Sequence, residues 1–149
     1  MTLKLLTISV VFLAFISCKK DCADDSNPKT QEELLTSKTW KTDEARIQLS
    51  NGTAQYYKRG GGGNTVNYDS DSLKFNTNNT GIYYSTGTQT PITWNFTNGE
   101  KSKMTIVISY ASPLTINLEN VTLADTYFSY SQFVTAGVSY LASVRRLPN

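Results

Sequence analysis

The feature that most limits the fold is an alternation of apolar and polar side chains, period two, that starts after Trp40 and runs to the C-terminus. Ala45, Ile47 and Leu49 alternate with Arg46 and Gln48, and Leu73 and Phe75 with Ser72 and Lys74. Ile82 and Tyr84 follow, then Ile92, Trp94 and Phe96, then Met104, Ile106, Ile108 and Tyr110, with Val107 the one apolar residue out of phase. Leu114, Ile116 and Leu118, then Phe128 and Tyr130, then Val138, Tyr140, Ala142 and Val144 complete the set. Successive side chains of a strand point to opposite faces, so each run predicts a strand with one apolar face and one wet face. Eight to nine such strands without intervening helices predict an all-β, antiparallel, up-and-down sheet. A sheet that large must close or split, because each free edge is a row of unpaired backbone groups; closure into a β-barrel is the expectation.

The connections agree with this. Asn51-Gly52 suits a type I′ hairpin turn leading back along Thr53 to Lys58, with Val66 and Tyr68 continuing that sheet weakly, and Asn76 to Asn79 and Thr97 to Ser102 are polar turns. Gly60 to Gly63 resembles a phosphate loop only in its glycines: no Lys-Ser/Thr follows and no helix opens, so we expect a flexible hairpin tip. Thr30-Gln31-Glu32-Glu33 has capping-box spacing ahead of Leu34-Leu35, which predicts one short N-terminal helix at about 30–37. A helix that short needs tertiary support, so Leu34 or Leu35 should pack on an open end of the sheet.

Ahead of the domain, Lys4 precedes an uncharged apolar run from Leu5 to Ile16, and Ser17-Cys18 ends it. About a dozen residues are too few for a bilayer-spanning helix, which takes about 20, so the run reads as an export signal. It resembles a bacterial lipoprotein signal, with Phe15 where that family usually has leucine; the resemblance implies cleavage before Cys18 and lipidation of Cys18. The expected organisation is therefore signal peptide 1–17, flexible tether 18–30 and barrel domain 31–149. Asp21, Asp24 and Asp25 resemble the acidic tags that send some Gram-negative lipoproteins to the outer face of the outer membrane. The implied location is the outer membrane, lipid-anchored, at its periplasmic face or the cell surface.

Composition narrows the function. The chain has no histidine, which removes the usual general base near neutral pH and the commonest zinc ligand. A net charge of +2, falling to +1 without Lys4, and no basic cluster beyond Lys58-Arg59 and Arg145-Arg146 argue against nucleic acid as a partner. Cys18 and Cys22 are the two cysteines, so a lipid on Cys18 would leave Cys22 without an intrachain partner. Asp43-Glu44 and Asp69-Ser70-Asp71 are the nearest carboxylate pairs, but strand neighbours point apart, and the second lacks the length and glutamate of a calcium loop. It reads as a solvated turn. We expect no enzymatic activity, no cofactor and no metal. Asp71-Ser72-Leu73 resembles an O-glycan acceptor of exported bacterial proteins, which makes Ser72 a candidate glycosylation site.

A second resemblance joins these strands. Leu35-Thr36-Ser37-Lys38-Thr39-Trp40 looks like the Leu-x-Gly-x-Trp opening of lipocalin-like domains in small bacterial lipoproteins, with Ser37 in place of glycine. The strand from Trp94 through Asn98-Gly99 and the stretch Leu118 to Asp125 are similar too. A barrel of about eight strands either fills with its own side chains or holds one small ligand. The resemblance implies a small hydrophobic or amphipathic guest, and Tyr84, Trp94, Phe96, Tyr130 and Tyr140 are the candidate lining residues. The alternative is a filled barrel working through its surface on another envelope protein or a glycan. An interior of roughly a few hundred cubic ångströms favours the guest, and a packed interior favours the surface.

Overall fold

The computed structural model describes residues 27–134 and 139–149. Cys18, Cys22 and Val138 lie outside the described residues. The strands are β1 (Thr39–Leu49), β2 (Ala54–Lys58), β3 (Ser72–Phe75), β4 (Thr80–Ser85), β5 (Thr88–Phe96), β6 (Met104–Ile108), β7 (Leu114–Ala124), β8 (Tyr127–Val134) and β9 (Tyr140–Pro148). Every pairing is antiparallel, and β9 returns to pair with β1, so β1 and β3 to β9 close an eight-stranded up-and-down barrel with β2 as one extra strand. Two strands share one edge of β1: β3 takes Thr39 to Lys41, and β2 takes Glu44 to Gln48.

The short helix forms as its sequence demands. In α1 (Gln31–Thr36) the Thr30 hydroxyl accepts from Glu33 N at 3.2 Å while the Glu33 carboxylate accepts from Thr30 N at 2.7 Å, so both halves of the capping box are made. Leu35 is buried, and its carbonyl accepts the Trp40 indole N–H at 2.8 Å. This end of the barrel is closed. Behind α1 the interior is filled by aromatic rings meeting edge to face: Trp40 on Phe128 at 5.8 Å, Phe75 on Phe128 at 6.0 Å and Phe75 on Trp94 at 5.6 Å.

Two β-bulges shift the alternation. In β1 the register slips between Thr42 and Glu44, so Trp40 and Thr42 face inward before it and Ala45 and Ile47 after it. The residue between them, Asp43, pairs with Lys58 of β2 at 2.6 Å. In β7 a slip between Glu119 and Thr122 hands the inward face from Leu118 to Val121. Asn120 there takes a φ of 53°.

Four expectations need correction. The Asn51-Gly52 connection is a three-residue loop, not a two-residue type I′ turn: Gly52 N donates to Leu49 O at 3.0 Å, Leu49 N donates to Thr53 O at 2.9 Å, and of the pair only Gly52 has positive φ. The glycine tip is tied down. Asn64 Oδ1 accepts from Lys58 N at 2.8 Å and its amide returns a bond to Lys58 O at 3.0 Å, while Thr65 N donates to Tyr56 O. Side chain and backbone together stand in for a strand along β2's outer edge; Val66 and Tyr68 are loop residues packed on the core. In β4 the inward phase is one residue off, because Gly81 sits opposite Phe75 and Tyr83 opposite Leu73, which turns Ile82 and Tyr84 outward.

Gly81 sets that phase by lack of a side chain. A Cβ at this position would lie 2.2 Å from Lys74 O and 3.0 Å from the Ile92 side chain. Gly81→Ala must therefore push β4 off β3, at a cost of about 1–3 kcal/mol. Urea unfolding of the variant is the check, and a midpoint equal to wild type would show that the sheet absorbs the methyl group.

Candidate functional site

The far half of the barrel is hollow. A cavity of about 160 Å³ lies beyond the aromatic plug, with aliphatic walls from Ala45, Ile47, Ile106, Ile108, Ile116 and Val144. Tyr110, Leu114 and Tyr140, each partly exposed, stand at its outer rim. Its floor is polar, and the floor is the unexpected part.

Arg146 and Asp71 meet there, Nη1 to Oδ1 at 2.7 Å, with side chains only 7% and 6% exposed. The strand pattern puts them inside: Arg146 continues the inward series Ala142, Val144 of β9, and Asp71 shares parity with Leu73 and Phe75. Asp71 accepts two more hydrogen bonds, from the Thr42 hydroxyl at 2.6 Å and the Tyr83 hydroxyl at 2.7 Å. Arg146 donates from Nε to the Tyr130 hydroxyl at 3.0 Å and from Nη1 to Trp40 O at 3.3 Å. Asp71 is also fixed through its backbone, since Thr42 N donates to its carbonyl. From outside, Arg59 donates to the carbonyls of Thr42, Tyr68 and Asp69 at 2.8, 3.2 and 2.8 Å, which pins the 59–71 loop against β1.

The ionisation states follow from this packing. Burial pushes the Asp71 carboxyl up, but the Arg146 charge and the bonds from Thr42, Tyr83 and Arg146 outweigh it and hold the pKa below the ordinary carboxylate value. Burial works against the Arg146 charge as well, and Asp71 and Tyr130 more than restore it. Burial raises the phenols of Tyr83, Tyr130 and Tyr140, so they remain neutral donors near neutral pH. A carboxylate whose pKa is depressed on folding stabilises the folded state above its unfolded value, about 3.9, and loses that contribution as pH falls through the folded value. The wild type should therefore lose stability steeply below about pH 4, and Asp71→Asn should be weaker at pH 7 with a flatter acid limb. Urea midpoints from pH 7 to pH 2 test this; parallel curves for the two proteins would remove Asp71 from the acid response.

Of the residues expected to line a pocket, Tyr130 and Tyr140 do. Trp94 is buried in the plug, its indole N–H donating to Thr80 O at 2.9 Å, and Phe96 packs on it at 5.9 Å; neither reaches the cavity. Tyr84 faces outward, and Tyr83 takes the inward place. Ser72, considered as a glycan acceptor, is buried in β3 between Lys41 and Tyr84, so its hydroxyl is not presented in the folded chain. The solvated turn expected at Asp69–Asp71 holds for Asp69 and Ser70, which are exposed turn residues, with Asp69 accepting the Tyr57 hydroxyl at 2.7 Å; Asp71 departs from it, being the interior half of the ion pair. Arg146 and Asp71 were legible as inward positions by parity, but their charge argued for the wet face; Thr42 was not legible, because the bulge between Thr42 and Glu44 reverses the phase set by Ala45 and Ile47.

No family model, curated protein or solved structure matches this chain. The functional reading therefore rests on the cavity and its chemistry.

Proposed function

We propose that the protein is a lipid-anchored, lipocalin-like binding protein that takes a small amphipathic molecule into the open half of its barrel. The observation that carries this is a cavity of about 160 Å³ with aliphatic walls and a hydrogen-bonding floor. An apolar cavity of about 150 Å³ in another protein holds benzene, whereas sites for drug-sized ligands start at roughly 300 Å³. The guest, or the part of it inside, is thus a ring or short chain of about six to eight non-hydrogen atoms, and a longer tail would leave at the rim beside Tyr110 and Tyr140.

The anchor reading rests on the run from Leu5 to Cys18. Residues 27–30 lead into α1 at the closed end, so a lipid on Cys18 would tether the barrel by that end. Cys18→Ala should abolish incorporation of a fatty-acid label and leave the unprocessed precursor; labelling at the wild-type level would sink the anchor.

Lipid extraction and mass spectrometry of the full chain, purified from the cells that make it, tests the binding reading. A co-purifying small molecule near one-to-one supports it, and an empty protein that binds no small organic probe overturns it. One observation favours a surface role as the second reading: Phe133 and Leu141 lie opposite each other on the outer face of β8 and β9, 58% and 55% exposed. An empty protein that crosslinks to an envelope protein through that face would decide for it.

A further inference from the structure

The cavity floor is short of acceptors and carries no net charge. Arg146 and Asp71 are the only ionic side chains among its described lining residues, and they neutralise each other. Arg146 spends Nε on Tyr130 and Nη1 on Asp71 and Trp40 O, but Nη2 has no hydrogen-bond partner among the described residues. Nη2 also is not among the fully enclosed polar atoms that lack a partner, so the unspent edge of this buried guanidinium keeps contact with open space, and the space Arg146 lines is the cavity. The guanidinium is a rigid planar fork, so Nη2 lies beside the Tyr130 hydroxyl that Nε holds. That hydroxyl accepts from Nε, and its own proton has no acceptor among the described residues. Tyr140 repeats the pattern nearer the rim, accepting from Gln132 Nε2 at 3.3 Å with its proton unspent. On the acceptor side, Asp71 already takes three bonds, which leaves the Gln132 carbonyl as the principal free acceptor.

An enclosed donor left unpaired is costly, so this floor selects a guest that brings an acceptor. A cationic guest would meet the Arg146 charge. An anionic guest would be desolvated against a pair whose net charge is zero, and the attraction of one guanidinium already bonded to Asp71 does not repay that. On the reading that the cavity binds a small amphipathic molecule, we infer that the group it recognises is an uncharged hydrogen-bond acceptor, a ketone, aldehyde or ester carbonyl. Its oxygen sits against Arg146 Nη2 and the Tyr130 hydroxyl, and its apolar body lies along the aliphatic walls.

The test is a size-matched set titrated into the full chain at pH 7 and followed by NMR shifts: cyclohexane, cyclohexanone, cyclohexylamine and cyclohexanecarboxylate. We expect cyclohexanone to bind about tenfold tighter than cyclohexane or more, as one charge-assisted hydrogen bond gives, and the amine and the carboxylate to bind more weakly than the ketone. Adding Tyr130→Phe to Asp71→Leu/Arg146→Met removes both donors together with the charge pair, and this triple variant should bind the ketone no tighter than cyclohexane. Equal affinity for cyclohexane and cyclohexanone overturns carbonyl recognition while leaving the binding cavity standing. Carboxylate binding tighter than the ketone overturns it in favour of an anion site. A ketone preference that survives in the triple variant places recognition elsewhere and overturns the assignment to Arg146 and Tyr130. If none of the four binds, the binding function fails, and the inference with it.

Discussion

Arg146→Met should destabilise the protein by about 3–5 kcal/mol, while Asp71→Leu/Arg146→Met should lie near wild type or above it. The difference comes from what each variant leaves behind. Removing Arg146 alone strands the buried Asp71 carboxylate, held by the Thr42 and Tyr83 hydroxyls but with no counter-charge, and frees the Tyr130 hydroxyl from its donor. Removing both partners deletes the desolvation penalty together with the attraction, and two apolar side chains of similar length fill much of the space. Thr42 and Tyr83 then each lose an acceptor, which limits the gain. Urea unfolding at pH 7 of wild type, both single variants and the double variant gives the coupling energy directly. A double variant as weak as Arg146→Met would mean that the pair holds the barrel together. A double variant at wild-type stability means that the pair is retained for something other than stability, which the binding reading supplies.

Trp40→Ala carries the next largest expectation, a loss of about 3–5 kcal/mol. Trp40 is fully buried, meets Phe128 edge to face and receives Arg146 at its carbonyl, and its indole holds Leu35 O and so seats α1 on the closed end. Trp40→Phe keeps most of the apolar volume but orphans that carbonyl, at about 1–3 kcal/mol. Hydrogen exchange separates the two roles. Both variants should loosen the amides of Leu34 and Ser37, which bond back to Thr30 O and Glu33 O within α1, whereas only Trp40→Ala should lower protection throughout the barrel. Unchanged exchange at Leu34 and Ser37 in both variants would show that α1 is held by Leu35 packing alone.

The contrast between these residues shows how far the sequence can be read. Trp40 announces itself, as a large apolar residue opening a run of alternating side chains behind a capping box. Arg146 does not. Its place on the inward face follows from extending Ala142 and Val144 by two residues, but an arginine beside Arg145 and two residues before Pro148 reads equally as a solvated strand end. Only its partner makes an inward arginine tenable, and that partner lies 75 residues earlier. Tyr83 and Tyr84 make the same point on a smaller scale: both alternations are apolar, and the choice between them is made by Gly81 fitting under Ile92 and Lys74 O.

The sequence by itself determined an antiparallel all-β sheet of eight to nine strands and the short capped helix, because those depend on local periodicity, capping and turn residues; that the sheet closes, through β9 on β1 with β2 left as an extra strand, was decided by the tertiary structure. The tertiary structure decided the phase of each strand on either side of its bulges, the meeting of Asp71 with Arg146, and the division of the interior into an aromatic plug and a hollow half. Those depend on register between strands distant in sequence and on whether inward side chains from facing strands touch, and a pattern of period two carries no information about either.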